Sequence, residues 1–185
     1  DIHNYEEAEK KLSEILLSAL PDPSMRKVAI AHVFAAGGTP SESERPLSIG
    51  GYDRISDSVF DAYDYAALGH LHQHQRTQKQ SERVQYSGSL MRYSFDEVRQ
   101  NKGVIVGTIG EDGSVETDFH ELTPLHQVRV LEGTFAELMS EEREASEDYL
   151  QVILTDELPV IDAMPKLREK YKNALGVEQN MGYKE

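Results

Sequence analysis

The segment that most limits what this chain can fold into is Asp64–Gln75, reading D-Y-A-A-L-G-H-L-H-Q-H-Q. A short apolar run, Tyr65–Leu68, stops at Gly69 and reads as a buried strand. His70, His72 and His74 then follow at alternate positions. Alternate side chains of an extended chain share a face, so at least His70 and His72 converge on one point. Imidazole is the commonest metal-binding side chain. A Gly-His-x-His at the end of a buried strand therefore reads either as two metal ligands on a rigid edge or as a polar loop. The motif by itself does not separate the two.

Composition narrows the chemistry. At 185 residues the chain holds one ordinary domain, or one plus a small appendage. It has no cysteine, so any metal must be held by His, Asp, Glu or Asn. No apolar run approaches the roughly 18 residues of a membrane span, and no signal peptide is seen, which fits a cytoplasmic protein. Asp1-Ile2-His3 has no initiator Met and leads straight into a charged helix, as expected of a fragment of a longer protein. The net charge of −14 argues at face value against a nucleic-acid binder. That charge is uneven: residues 1–100 carry 15 acidic and 11 basic side chains, residues 101–185 carry 18 and 8. After the histidines the chain is locally basic, with Arg76, Lys79, Arg83, Arg92, Arg99 and Lys102 against Glu82, Asp96 and Glu97. This is a phosphate-facing patch or simply a solvated face.

The remaining elements follow from periodicity. Asn4 and Glu7 form an N-cap pair ahead of a helix carrying Ala8, Leu12, Ile15, Leu16 and Ala19 at helical spacing, ended by Pro21 and Pro23. Val28–Ala31 is a short buried strand with His32 just past it. A long loop rich in Gly, Ser and Pro follows, through A-A-G-G-T-P and S-E-S-E-R-P, and loops of that length are usually functional or disordered. Ser48–Tyr52 leads into a short helix at Ile55–Phe60, capped by Asp53 or Ser56. Val84–Tyr86, Met91–Phe95, Gly103–Ile109 and Val115–Leu122 read as an antiparallel meander with a hairpin turn at Gly110–Gly113. Beyond Thr123-Pro124 the pattern becomes β-α-β-α. It has strands at Gln127–Leu131 and Tyr149–Leu154, a helix start at Thr134–Ser140, an acidic segment at Glu141–Asp148, a helix at Leu158–Ala174 and a short strand at Val177–Gln179.

A strand ending in His32, a strand ending in Gly69-His70-Leu71-His72, and a following Y-S-G-S-L-M-R-Y-S-F-D-E together resemble the SbcD-type nuclease subunits of the calcineurin-like metallophosphoesterase superfamily. The resemblance spans essentially the whole chain. It is most specific in A-H-V-F-A-A-G-G, S-E-R-P, D-Y-A-A-L-G-H-L-H and Y-S-G-S…Y-S-F-D-E, and weakest after residue 125. It implies an α/β fold. Residues 1–125 would form the C-terminal half of a metallophosphoesterase-type αββα sandwich, and residues 126–185 a small β-α-β-α capping domain. It further implies a site for two Mn²⁺ ions, with His32 matching the lone histidine of the fourth family motif and His70 and His72 the pair in the fifth. His32 and His70 would then serve one ion and His72 the other. The first three motifs, D-x-H, G-D and G-N-H, carry the bridging aspartate and the histidine expected to act as acid; they are expected ahead of Asp1.

The reading that follows is part of a Mn²⁺-dependent DNA exonuclease or endonuclease subunit, inactive on its own. Ser87, Ser89 and Arg92 are candidate DNA contacts, because hydroxyls and guanidinium groups position phosphates. His74 is assigned to the surface, and His120 and His126 have no assigned role. The resemblance implies an SbcC-type coiled-coil ATPase as partner. Half a sandwich exposes apolar sheet, so a homodimer is also expected. Two alternatives remain at this point: a calcineurin-like phosphodiesterase acting on a small molecule, and a non-catalytic interaction domain whose histidines are structural.

Overall fold

The computed structural model describes residues 2–41, 43–44, 54–78 and 81–180. Asp1, Arg45-Pro46 of the S-E-R-P motif, the Ser48–Tyr52 segment, Asp53 as a cap and Lys79 of the basic stretch lie outside the described residues. The chain is mixed α/β and divides into two compact units, residues 1–91 with 100–123, and residues 92–99 with 124–185.

The first unit begins with α1 (Tyr5–Ser18), whose N-cap Asn4 side chain accepts from the Glu7 N–H at 2.8 Å. Its main sheet joins β1 (Val28–His32) and β4 (Tyr65–Gly69) in parallel, with β6 (Val84–Tyr86) parallel to β4 and β5 (Gln75–Arg76) antiparallel to β6. A small parallel pair, β2 (Phe34–Ala35) and β3 (Arg54–Ile55), leads into a 3₁₀ turn at Asp57–Phe60 capped by Ser56. The hairpin β7 (Gly103–Ile109) and β8 (Val115–Glu121) closes through Gly113 at φ +80°, where glycine is suited. The sequence expectation of one antiparallel meander from Val84 to Leu122 is therefore corrected. Within that span only β7 and β8 form such a hairpin; β6 belongs to the parallel sheet, and Met91–Phe95 forms no strand. Three residues of β6 are too few to carry a period that would have shown this.

The core of this unit is Val33, Ala35, Ile55, Val59, Phe60, Ala66, Leu68, Leu71 and Tyr86. The β1–β4 register pairs Val28 with Tyr65 and His32 with Gly69. It is pinned at its start by Asp64, whose carboxylate accepts the Lys27 N–H at 2.6 Å while its own N–H donates to the Lys27 carbonyl at 2.8 Å. Among the described residues β1 is an outer strand of the sheet, with Ala29 and Ala31 turned to the core and Val28, Ile30 and His32 turned outward. Ile30 is 88% exposed. Alongside it, between β1 and α1, lies a groove of about 380 Å³ lined by Leu12, Leu16, Val28, Ile30 and Phe60 among others.

In the second unit, β9 (Val128–Gly133), β10 (Tyr149–Leu154) and β11 (Ala174–Gln179) form a parallel sheet with β10 in the middle. α2 (Phe135–Met139) opens with a capping box in which the Thr134 and Glu137 side chains satisfy each other's backbone N–H. α3 spans Ala163–Lys170, shorter than the periodicity of Leu158–Ala174 predicts. The reason is Pro165: a proline is tolerated only in a helix's first turn, which places the start at Ala163. Leu138, Leu150, Val152, Leu154, Leu167, Tyr171 and Ala174 are buried at 1% exposure or less, and the Tyr171 hydroxyl donates to the Leu138 carbonyl at 2.6 Å. The segment 92–99, with a 3₁₀ turn at Phe95–Arg99, packs on β9 in this unit.

Candidate metal centre

The β1–β4 register sets His32 directly beside Gly69 and next to the start of the histidine loop. The His32 ring lies across Gly69 so closely that a methyl group there would sit 3.1 Å from its Nδ1. Glycine at 69 thus gives the ring room. His70 follows, and its ring meets His32 edge-on with centroids 5.5 Å apart; Phe34 packs on the other side at 5.8 Å. His70 has φ +111°, a conformation that non-glycine residues rarely adopt and that costs on the order of 1–3 kcal/mol where it persists. The turn out of β4 is therefore strained at one of the histidines predicted to bind metal.

His72 is held on three sides. Its N–H donates to Glu44 Oε1 at 2.7 Å, and its Nδ1 lies 2.8 Å from Ser43 Oγ. Its carbonyl accepts from the Ser89 N–H at 3.0 Å and from Lys102 Nζ at 2.7 Å. Lys102 is 4% exposed and also donates to Ser89 Oγ and Gln100 Oε1. Gly88, at φ +81°, passes so near that an added Cβ would lie 2.7 Å from the His72 carbonyl oxygen and 2.8 Å from the His74 nitrogen. Leu71, between the two histidines, is buried at 2% in the core and anchors the loop.

Tyr86 supports the other strand. Its hydroxyl donates to the Val33 carbonyl at 2.9 Å and accepts the Ala35 N–H at 2.8 Å, fixing the backbone that follows His32. Burial pushes the Tyr86 phenol up to about 12, partly opposed by the Ala35 hydrogen bond. His74 stacks flat on Phe119, with centroids 4.2 Å apart and ring planes 3° from parallel. Burial there holds its imidazole below the usual value; a hydrogen bond with Gln85 opposes the shift and Arg76 adds to it.

The DNA-contact candidates sit as follows. Ser87 Oγ donates weakly to the Gly88 carbonyl at 3.4 Å. Ser89 Oγ donates to the Met91 carbonyl at 2.8 Å and receives Lys102. Arg92 belongs to the second unit, where it donates to Gln127 Oε1 at 2.7 Å. Of the locally basic stretch, Arg76 pairs with Glu82 at 2.6 Å and Arg83 donates to the Asp61, Tyr63 and Asp64 carbonyls.

Among the described residues, no group of three or more His, Asp or Glu side chains comes together as a set that could hold a metal ion. The residues present fit part of one. Two imidazoles meet edge-on at the ends of adjacent parallel strands, and a third has its Nδ1 2.8 Å from the Ser43 hydroxyl. Imidazole with harder oxygen donors suits Mn²⁺. Sequence reasoning found the histidines but not their supports. Ser43 and Glu44 lie 29 and 28 residues from His72, and a lysine such as Lys102 reads in sequence as surface charge.

Known proteins bear on this geometry in two ways. Residues 124–185 match the SbcD_C family model, described as the Type 5 capsule protein repressor C-terminal domain. The chain is 34% identical over 178 residues, 95% of its length, to the SbcD subunit of the nuclease SbcCD from Staphylococcus epidermidis. It spans 47% of that relative, about half its length. No helix among the described residues is long and apolar enough to cross a membrane. By these matches residues 124–185 carry the SbcD_C domain, and the chain as a whole is similar to about half of an SbcD-type nuclease subunit.

Proposed function

We propose that this chain is part of a Mn²⁺-dependent nuclease subunit that hydrolyses DNA phosphodiester bonds at a dinuclear metal site, to which it contributes His32, His70 and His72. The observation that carries the reading is the meeting of His32 and His70, 5.5 Å apart, at the ends of β1 and β4. When bound, a pair of metal ions polarises a phosphodiester, lowers the pKa of a water and stabilises charge on the attacking and leaving oxygens. The chain's own residues orient the imidazoles: Gly69 admits the His32 ring, Leu71 anchors the loop, and Lys102 with Ser89 holds the His72 carbonyl. Three neutral imidazoles do not neutralise two divalent ions, so the carboxylates of the site, and the group acting as acid, come from the portion of the full-length protein that this chain does not include.

In this proposal Ser87 and Ser89 of the first unit and Arg92 of the second each contact DNA phosphates, and the second unit serves as a capping domain. Its acidity suits it to steering DNA or to contacting an SbcC-type ATPase more than to gripping phosphates. The protein acts in the cytoplasm, and β1, outermost in its sheet among the described residues with Ile30 exposed, favours pairing as a homodimer when this chain is isolated. The test is Mn²⁺-dependent cleavage of linear duplex DNA by the full-length protein. His32→Ala, His70→Ala and His72→Ala are each expected to lower the rate at least 100-fold, while the 185-residue chain alone cleaves nothing. Cleavage of a small phosphodiester with no cleavage of DNA would favour the small-molecule alternative. Undiminished cleavage by the alanine variants would remove the histidines from the site.

A further inference from the structure

We infer that Arg54 is a further substrate-binding residue, which holds a DNA backbone phosphate next to the one being cleaved. The inference deepens the nuclease reading and rests on it. Arg54 opens β3 and is the register partner of Phe34 in β2. Its Cζ lies 4.5 Å over the centre of the Phe34 ring. The same ring packs on His70 at 5.8 Å, and His70 meets His32 at 5.5 Å. One aromatic ring thus separates a guanidinium from the pair of imidazoles that carries the metal-site reading.

What sets Arg54 apart is the state of its donors. A guanidinium carries its N–H donors in a rigid plane and accepts nothing. Arg54 is exposed, and among the described residues it has its ring contact with Phe34 but no hydrogen-bond or ion-pair partner. The other cations described in the first unit are all engaged. Lys10 and Lys11 pair with glutamates of α1, Arg76 pairs with Glu82, Arg26, Lys27 and Arg83 donate to carbonyls, and Lys102 donates within the histidine loop. The support beneath Arg54 is rigid. The Tyr86 hydroxyl holds the backbone on either side of Phe34, at Val33 and Ala35. Ile55, next to Arg54, is buried at 1%, and its carbonyl accepts the Ala36 N–H at 2.8 Å. A planar fork placed in advance loses little freedom when it closes on an anion. Such forks match phosphate oxygens bidentately, and a DNA strand offers a phosphate at every nucleotide. With a net charge of −14 on the chain, attraction of a polyanion depends on local cations of this kind. The Phe34 ring stands between Arg54 and His70, so the phosphate held is a neighbour of the reacting one. Sequence reasoning passed over Arg54 because it precedes the histidines, among Asp53, Asp57 and Asp61 and outside the locally basic stretch.

The experiment uses the full-length protein. Binding of a linear DNA duplex is measured without metal across a series of salt concentrations, and cleavage with Mn²⁺ is resolved into kcat and KM. Arg54→Gln is expected to weaken binding about 10-fold whatever the DNA sequence, as loss of one charge-assisted hydrogen-bonded contact does. The slope of log affinity against log salt should become shallower by about 1. KM for duplex DNA should rise in step while kcat stays within about twofold, the mark of lost substrate binding. Arg54→Lys keeps the charge without the fork, so it should keep the salt slope and recover part of the KM. KM for bis-p-nitrophenyl phosphate, which has no neighbouring phosphate, should stay at its native value in both variants. Thermal unfolding reports whether each variant keeps its fold. A folded Arg54→Gln protein with the native salt slope and KM overturns the inference and leaves the nuclease reading standing. A fall in kcat or in Mn²⁺ affinity at native KM also overturns it, by making Arg54 a support for Phe34 and His70. So does a KM for the small diester that rises as far as that for DNA, which would put Arg54 on the reacting phosphate. A native protein that shows the slope difference but cuts no DNA overturns the nuclease reading and leaves Arg54 as a phosphate contact; one that binds no DNA overturns both.

Discussion

β1 and β10 are similar strands in opposite circumstances. Both are short, apolar and parallel to their neighbours. β10 lies between two partners, with Leu150, Val152 and Leu154 fully buried under α2 and α3. Among the described residues β1 has one partner, and its outward side chains face open surface, Ile30 above all. Parallel strands ordinarily have both faces covered, so β10 shows what β1 lacks. The second unit is complete as a folding core. The first has an interior around Tyr86 and Leu71, and among the described residues β1 is its outer strand, with His32 at the strand's end. The strand that carries a metal-binding candidate is also the one with a single partner strand among the described residues.

The largest effect that would break this comparison comes from matched truncations. Leu154→Ala should destabilise the second unit by about 2–5 kcal/mol, the range for a large buried side chain cut to alanine. Ile30→Ala in the same 185-residue chain should change stability by no more than about 0.5 kcal/mol, as for an ordinary surface site. Hydrogen exchange resolved by unit checks both. If Ile30→Ala costs as much as Leu154→Ala, something already covers β1, and sedimentation would then show a dimer.

Tyr86 sharpens the contrast from inside the first unit. Removing its hydroxyl leaves the buried Ala35 N–H and Val33 carbonyl without that partner, so Tyr86→Phe should cost about 1–3 kcal/mol. Its ionisation gives a second signature. The folded value, about 12, lies above the usual 10, so the hydroxyl's contribution is complete below pH 10 and is lost as pH rises toward 12. Over that interval the native chain should lose on the order of 2 kcal/mol more stability than Tyr86→Phe. Parallel unfolding curves for the two chains between pH 10 and 12 would mean that the phenol is not held as described.

The sequence singled out the residues of the candidate site, and the structure brings two of them, His32 and His70, together. The apolar run ending in a glycine encodes the strand, and Gly69 is where the His32 ring rests, but β4 stops there and His70 turns at φ +111°, so the shared face expected of His70 and His72 in an extended chain does not follow. The Asn4 cap and the hairpin at Gly110–Gly113 are local and equally readable. What could not be read is what depends on distant partners. The Glu44 grip on His72 spans 28 residues, the Lys102 grip 30, and the Gln85 and Phe119 surroundings of His74 belong to separate strands. His74, assigned to the surface on sequence, is half-buried against Phe119 because β8 reaches across to it. Local pattern names the ligand candidates; only the fold names what aims them.

The smallest effect concerns backbone strain and sets the two units side by side once more. Two non-glycine residues have positive φ among those described, His70 at +111° in the first unit and Asp162 at +54° in the second. Asp162, with ψ 38°, sits in the left-handed well that aspartate enters at modest cost. His70 lies well outside it. Glycine ordinarily destabilises relative to alanine by about 0.5–1 kcal/mol, through the freedom it restores to the unfolded chain. At residue 70 the order should invert, with His70→Gly about 1 kcal/mol more stable than His70→Ala, because glycine relieves strain that alanine keeps. At residue 162 glycine and aspartate should differ by less than that. Chemical denaturation of the native chain and these three variants decides it. An alanine at 70 as stable as the glycine would mean that the turn after β4 is relaxed, and that His70 is directed by its ring contacts with His32 and Phe34 rather than by the bend of the chain beneath it.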